Sequence, residues 1–267
     1  MNARVPTERA DVVLVAQGLA ASREKAQAMI LAGSVQLAGR RIAKPSERVA
    51  PDAPLTVAEQ PPYVSRGGFK LVAAMDAFQV NAAGLVAIDV GASTGGFTDV
   101  LLQRGAALVY AVDVGYGQLA DKIRHDSRVI VMERINARLM NPGMFEPLPT
   151  LAVMDVSFIS IKLILPVLRG IMGESGRVVT LVKPQFEAGR EKVGKKGIVR
   201  DSAVHAEVLR GILEFTRDHG WSVNGIIPSP ILGQTGNKEF LMDIEFSSDE
   251  SDSRKKIVNP LDNLGLL

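Results

Sequence analysis

From residue 85 onward, apolar runs short enough to be strands alternate with longer stretches in which apolar residues recur every three or four positions. Strand-like runs fall at 85–90, 108–113, 129–132, 151–155, 178–183, 223–227 and 240–246. Helical spacing occupies 97–104, 159–171 and 203–219. This alternation predicts an α/β fold: a Rossmann-like, doubly wound sheet with helices on both faces. No helical spacing separates the last two strands, so a hairpin is expected there.

The first sixty residues follow a different pattern. Thr7 is a candidate N-cap for a helix whose stripe is Ala10, Val13, Leu14 and Gln17, stopping at Gly18. Ser22 caps a second helix that turns Ala26, Met29 and Ile30 inward and ends at Gly33. Short β segments follow at 35–37, 41–42 and 55–57, with Ala38-Gly39 as a turn. The expected organisation is a small α+β domain over 1–60, a linker over 61–67, a large domain over 68–246 and a disordered tail over 247–267. Prolines 51, 54, 61 and 62 mark the exit from the first domain, and the polar, charge-mixed text after residue 246 marks the tail.

Composition narrows the chemistry. The 31 Lys and Arg against 29 Asp and Glu leave a net charge of +2, so affinity for a polyanion has to come from local clusters. One candidate cluster is Arg9, Arg23, Lys25, Arg40, Arg41 and Lys44; a second is Arg190, Lys192, Lys195 and Lys196, following Lys183. For both, the alternative is a solvated charged face. The absence of cysteine excludes disulfides, thiolate zinc sites, iron–sulfur clusters and cysteine nucleophiles. His125, His205 and His219 lack ligand spacing, so no metal is expected. The longest apolar stretch, 158–172, is broken by Lys162, Pro166 and Arg169, short of the ~18–20 residues of a membrane span. Glu8, Arg9 and Asp11 precede the first apolar run, unlike a secretory signal; a cytoplasmic protein is expected.

The run 85–90 enters Gly91-Ala-Ser-Thr-Gly-Gly96 and then a helix, a strand–turn–helix that lets a ligand approach the backbone. Glycines at 91, 95 and 96 fail the dinucleotide fingerprint, and no Gly-Lys-Ser/Thr makes it a phosphate loop. Asp113 ends the next strand, where a carboxylate can hold ribose hydroxyls. A nucleoside-bearing ligand without pyrophosphate fits best, with S-adenosylmethionine the commonest; a nicotinamide or a structural turn remain open. Asp155 and Lys183 also stand at strand ends. A lysine leaving the apolar run 178–182 is expected to be partly desolvated, with a pKa below ~10.4, unless it snorkels past the rim. Val-Ser-Phe follows Asp155 where amino-methylating enzymes carry Pro-Pro-Tyr, and carbon-5 methylation needs a cysteine. A hydroxyl acceptor remains, and it needs a base.

These motifs resemble a known family. The segment beginning Ser22-Arg-Glu-Lys-Ala-Gln27 is similar to the RNA-binding module of ribosomal protein S4. Ser65-Arg-Gly-Gly-Phe-Lys70, Asp89-Val-Gly-Ala-Ser-Thr-Gly-Gly-Phe-Thr-Asp99, Val112-Asp-Val-Gly-Tyr-Gly-Gln-Leu119, Met154-Asp-Val-Ser-Phe-Ile-Ser160 and Leu181-Val-Lys-Pro-Gln-Phe-Glu187 resemble the TlyA family of FtsJ-like methyltransferases, historically labelled hemolysins. The resemblance implies 2′-O-methylation of ribosomal RNA at cytidine, with ribosomal RNA or ribosomal subunits as partner and S-adenosylmethionine as cofactor. It implies a catalytic set of Lys70, Asp155, Lys183 and Glu239, with Lys183 as base and Lys70 nearby. It places cofactor contacts at Asp89, Gly91, Ser93, Thr94, Gly95, Gly96, Phe97, Asp113 and Asn136. A non-catalytic ribosome-assembly factor and a membrane-active hemolysin are the competing readings. Aromatic residues are only 5% of the chain, so a base-stacking platform is not expected.

Overall fold

The computed structural model describes residues 6–58 and 62–247. The chain divides into two compact units, Met1–Pro62 and Tyr63–Leu267. The expected tail, apart from Ser247, lies outside the described residues.

The first unit runs β1 (Glu8–Arg9), α1 (Ala10–Ala16), α2 (Arg23–Leu31), β2 (Val35–Leu37), β3 (Arg40–Arg41), β4 (Arg48–Val49) and β5 (Leu55–Val57). Ala10, Val13 and Leu14 of α1 pack on Ala26 and Ile30 of α2 and on Val35, Ile42 and Leu55, which closes a small core. Ser22 caps α2 as expected, its side chain accepting from Lys25 N at 3.2 Å. Thr7 does not cap α1. Glu8 and Arg9 instead pair with β4, and the helix starts from an extended Arg9. β2 is central between β3 and β5, and Ala38 (φ 49°) with Gly39 (φ 80°) makes the primed turn that a tight hairpin needs.

The second unit contains α3 (Gly67–Ala77), β6 (Val86–Val90), α4 (Gly96–Gln103), β7 (Leu108–Asp113), α5 (Asp121–Arg124), β8 (Val129–Glu133), β9 (Leu151–Met154), α6 (Leu165–Met172), β10 (Ser175–Val182), α7 (Pro184–Glu187), α8 (Ser202–Asp218), β11 (Ser222–Pro228) and β12 (Phe240–Ser247). One sheet joins its seven strands in the order β11-β12-β10-β9-β6-β7-β8. Strands β6 to β10 are mutually parallel, and β12 is antiparallel to both β10 and β11, which realises the expected hairpin. Near-continuous apolar strands such as Val86–Val90 suit a sheet covered on both faces. Residues of α3 and α4 bury Leu71, Met75, Val100 and Leu101 on one face; α6 and α8 bury Leu168, Ile171, Leu209 and Ile212 on the other.

Two further expectations change. The single helix over 159–171 is a 3₁₀ turn, Ile161–Leu163, followed by α6, because Pro166 is tolerated only in a first helical turn. The linker read over 61–67 is shorter: Tyr63 and Val64 pack into the second unit's core, and Val64 N donates to buried Asp99 at 2.9 Å.

Candidate active site

Strand order fixes where the site lies. From β6 the chain builds outward through β7 and β8, then returns to the other side of β6 for β9 and β10. Such a reversal opens a crevice at the carboxyl ends of the strands. Val90 pairs with Met154 and Val182 with Phe240, so Gly91, Asp155, Lys183 and Glu239 all emerge at that edge. Lys70 comes from the first turn of α3, whose apolar face rests on the same end of the sheet.

The four expected catalytic groups form one continuous cluster. Lys70 Nζ donates to Glu239 Oε2 at 2.6 Å and lies 3.9 Å from Asp155 Oδ2. Lys183 Nζ lies 2.6 Å from Asp155 Oδ1 and donates to Ser157 Oγ at 2.9 Å. The two lysine side chains are 10% exposed, Asp155 22% and Glu239 4%. Lys183 therefore does not snorkel; its amine ends inside the cluster. Two ammonium groups and two carboxylates leave no net charge, which is what lets such groups be buried together. Removing one partner of the buried Lys70–Glu239 pair is expected to cost ~3–5 kcal/mol, because the other charge is stranded.

The glycine-rich loop walls the other side of a cavity of about 520 Å³, bounded also by Lys70, Asp155, Lys183 and Glu239. Gly91 (φ 85°) passes so close to the next strand that a Cβ there would sit 2.8 Å from the Asp155 carbonyl oxygen. At Gly96 a Cβ would sit 2.1 Å from Ser65 Oγ. Gly91, Ser93, Thr94, Gly96 and Phe97 all line the cavity, whose volume suits a nucleoside-sized ligand. The residues present fit S-adenosylmethionine: a loop with Gly91, Ser93, Thr94 and Gly96 on the wall of a nucleoside-sized cavity, and no phosphate-binding lysine in it.

Other expected cofactor residues lie off the cavity wall. Asp89 is fully buried on β6, where Oδ2 accepts from Thr98 Oγ1 at 2.7 Å and Oδ1 has no protein partner. Burial, with smaller contributions from Asp155 and Asp113, pushes its carboxyl up to about 7. It ties β6 to α4. Gly95 caps α4 with φ 91° and faces Leu119 and Ile123. Asp113 accepts from Ser93 N (2.8 Å) and Gly115 N (2.6 Å), so it braces the loop from β7. Asn136 caps a short turn through Arg138 N at 3.1 Å and is exposed.

Of the basic residues, Arg9 and Arg23 converge on Asp11, which also accepts from Gln27 at 2.8 Å. The Arg9 guanidinium holds that buried carboxyl far below the usual range. Arg40 pairs with Glu47 at 2.6 Å, Arg41 lies over Gly33, and Lys25 and Lys44 are exposed. In the second cluster Lys192 pairs with Glu207, while Arg190, Lys195 and Lys196 are exposed. Glu187, which in the sequence offsets this cluster, instead turns inward to Ser160 Oγ (2.6 Å) and Ile161 N (2.9 Å), and burial raises its carboxyl.

Sequence reasoning missed several cavity residues. Ser157 anchors Lys183. Phe158 is 91% exposed at φ 65°, its ring 5.0 Å from that of Phe186 at 47°. The pair provides an aromatic surface at the cavity mouth, although aromatic scarcity argued against one. A signal was available: each phenylalanine stands three residues after a charged member of the cluster, Asp155 or Lys183.

Comparison with known proteins identifies the family of each unit. Residues 8–54 match the S4 domain, and residues 63–246 match the FtsJ-like methyltransferase family. YqxC of Bacillus subtilis is 51% identical over 250 residues, covering 93% of this chain and 89% of its own. A 16S/23S rRNA (cytidine-2′-O)-methyltransferase, TlyA of Mycobacterium tuberculosis, is 43% identical over 249 residues, covering 92% and 93%. A solved structure of a hemolysin-named protein from Streptococcus thermophilus superposes with a TM-score of 0.70 at 49% identity, covering 92% of this chain and 90% of that one. Among the described residues no helix is long and apolar enough to cross a membrane. With the matched region spanning most of its length, the chain belongs to the FtsJ-like methyltransferase family.

Proposed function

We propose that this protein transfers a methyl group from S-adenosylmethionine to the 2′-hydroxyl of a cytidine in ribosomal RNA. The observation that carries this reading is the unbroken run Glu239–Lys70–Asp155–Lys183 beside a glycine loop suited to a nucleoside. The cofactor supplies an electrophilic methyl on a sulfonium. A ribose hydroxyl attacks it only if its proton is taken up, and Lys183 is the group we assign to take it.

The arrangement supports that assignment in three ways. Asp155 and Ser157 fix the Lys183 amine at the cavity wall, so orientation is set before the acceptor arrives. Glu239 saturates Lys70, which leaves Asp155 chiefly to Lys183. If Lys183 enters the reaction as a neutral amine, the four groups sum to −1, a charge that suits a sulfonium alongside. Phe158 and Phe186 offer a surface on which the base of the acceptor nucleotide can stack.

The exposed basic residues of each unit supply phosphate contacts, and the S4 match favours structured RNA over a small-molecule acceptor. The test is a map of ribose methylation in ribosomal RNA from cells with and without the gene. The reading predicts at least one cytidine that loses its 2′-O-methyl in the deletion strain; identical maps would remove it.

A further inference from the structure

Asn237 is fully buried, yet it belongs neither to the charged cluster nor to a strand. Its Oδ1 accepts from Val199 N at 2.9 Å, and its Nδ2 donates to Gly197 O and Thr235 Oγ1, both at 2.9 Å. Its main-chain oxygen accepts from Gly233 N at 2.9 Å. One amide thus fastens the basic stretch, which ends at Arg200, to the segment between β11 and β12. Lys195 and Lys196 sit exposed at the outer turn of that stretch, where the chain turns through Lys196 at φ 66° and Gly197 at φ 72°. On the inner side the clasped segment folds over Glu239. A Cβ at Gly233 would lie 2.4 Å from Glu239 Oε1, and Leu232, Gln234 and Thr235 line the cavity. His205 adds a second tether, its Nε2 lying 3.0 Å from Val199 O.

We propose that Asn237 is a positioning residue that couples engagement of RNA backbone phosphates by Arg190, Lys195 and Lys196 to the placement of Glu239, and through it Lys70. The inference rests on the RNA-methylation reading and deepens it. A buried amide whose partners are all main-chain or hydroxyl groups on two loops is costly to open, since each orphaned group loses a hydrogen bond. The clasp therefore holds the outer turn and the segment over Glu239 in one arrangement, and phosphate bound to the outer turn adds to the stability of that arrangement.

A double-mutant cycle tests it, using unmethylated ribosomal subunits as substrate at several salt concentrations. The variants are Asn237→Ala, the pair Lys195→Ala with Lys196→Ala, and all three together. The lysine pair is expected to raise KM about tenfold in the wild-type background but only about twofold in the Asn237→Ala background. Asn237→Ala alone is expected to flatten the salt dependence of KM and to lower kcat, with affinity for S-adenosylhomocysteine unchanged. Asn237→Asp keeps the acceptor for Val199 N but turns a carboxylate oxygen toward the Gly197 carbonyl, so it is expected to recover none of the loss. Additive effects of the lysine and asparagine changes would overturn the proposal. If Asn237→Ala does not fold, Asn237→Ser takes its place in the cycle. A wild type that fails to methylate subunits would instead sink the functional reading itself.

Discussion

At Asp89 a carboxyl group sits wholly inside the second unit, one oxygen bonded to Thr98 and the other without a protein partner. Burial raises its carboxyl to about 7, whereas in the unfolded chain it titrates near ~3.9. Between those values the folded protein holds a proton that the unfolded chain has released, so stability falls as pH rises through this window. Asp89→Asn, a neutral isostere, is expected to melt close to wild type near pH 4 and distinctly higher at pH 8. Melting curves across pH check this, and parallel curves for the two proteins would contradict it. Asp89 also shows what a sequence conceals. Its position before Gly91 reads as a ligand contact, but only the packing of α4 against β6 reveals that its partner is Thr98. Lys183 was legible because a cation ending an apolar run has few structural uses. Ser157 was not, since nothing in a serine's identity tells which amine it faces.

At the scale of elements, the turn between β6 and α4 decides the site's shape. Gly91 combines a left-handed backbone with an approach to the Asp155 carbonyl that leaves no room for a Cβ. Gly91→Ala is expected to displace Asp155, so affinity for S-adenosylhomocysteine and methyl transfer should fall together; calorimetric binding beside a transfer assay would show whether they do. Lys70→Met breaks the buried pair with Glu239 and is expected to lower stability by ~3–5 kcal/mol, read by denaturant unfolding, whereas exposed Lys44→Met should change it by less than ~0.5 kcal/mol. Long strands were legible as elements because their apolar runs are buried on both faces. The two-residue strands β1 and β4 carry no such signal, since their pairing arises from tertiary contact. The break before α6 was legible in principle: Pro166 fits only near a helix start.

For the whole molecule, a net charge of +2 hides local clusters of cations along the chain. Cations already paired with carboxylates, such as Arg40 with Glu47, add little field at a distance, while Arg41 and Lys44 have no such partner among the described residues. Replacing Arg41 and Lys44 by alanine is expected to weaken binding to ribosomal subunits and to reduce the salt slope by about 0.7–0.9 per lost phosphate contact, with cofactor affinity unchanged. Arg40→Ala should do less. Filter binding over a salt series separates these outcomes. The charge clusters were visible in the sequence, but which of their members are spent on internal pairs was not.

The most direct test of the chemistry is single-turnover methyl transfer from labelled S-adenosylmethionine to unmethylated ribosomal subunits, wild type against Lys183→Ala, with S-adenosylhomocysteine affinity measured in parallel. The geometry predicts a fall in rate of at least ~10²-fold with affinity little changed, as expected for loss of a positioned base. Equal rates in the two proteins would contradict it.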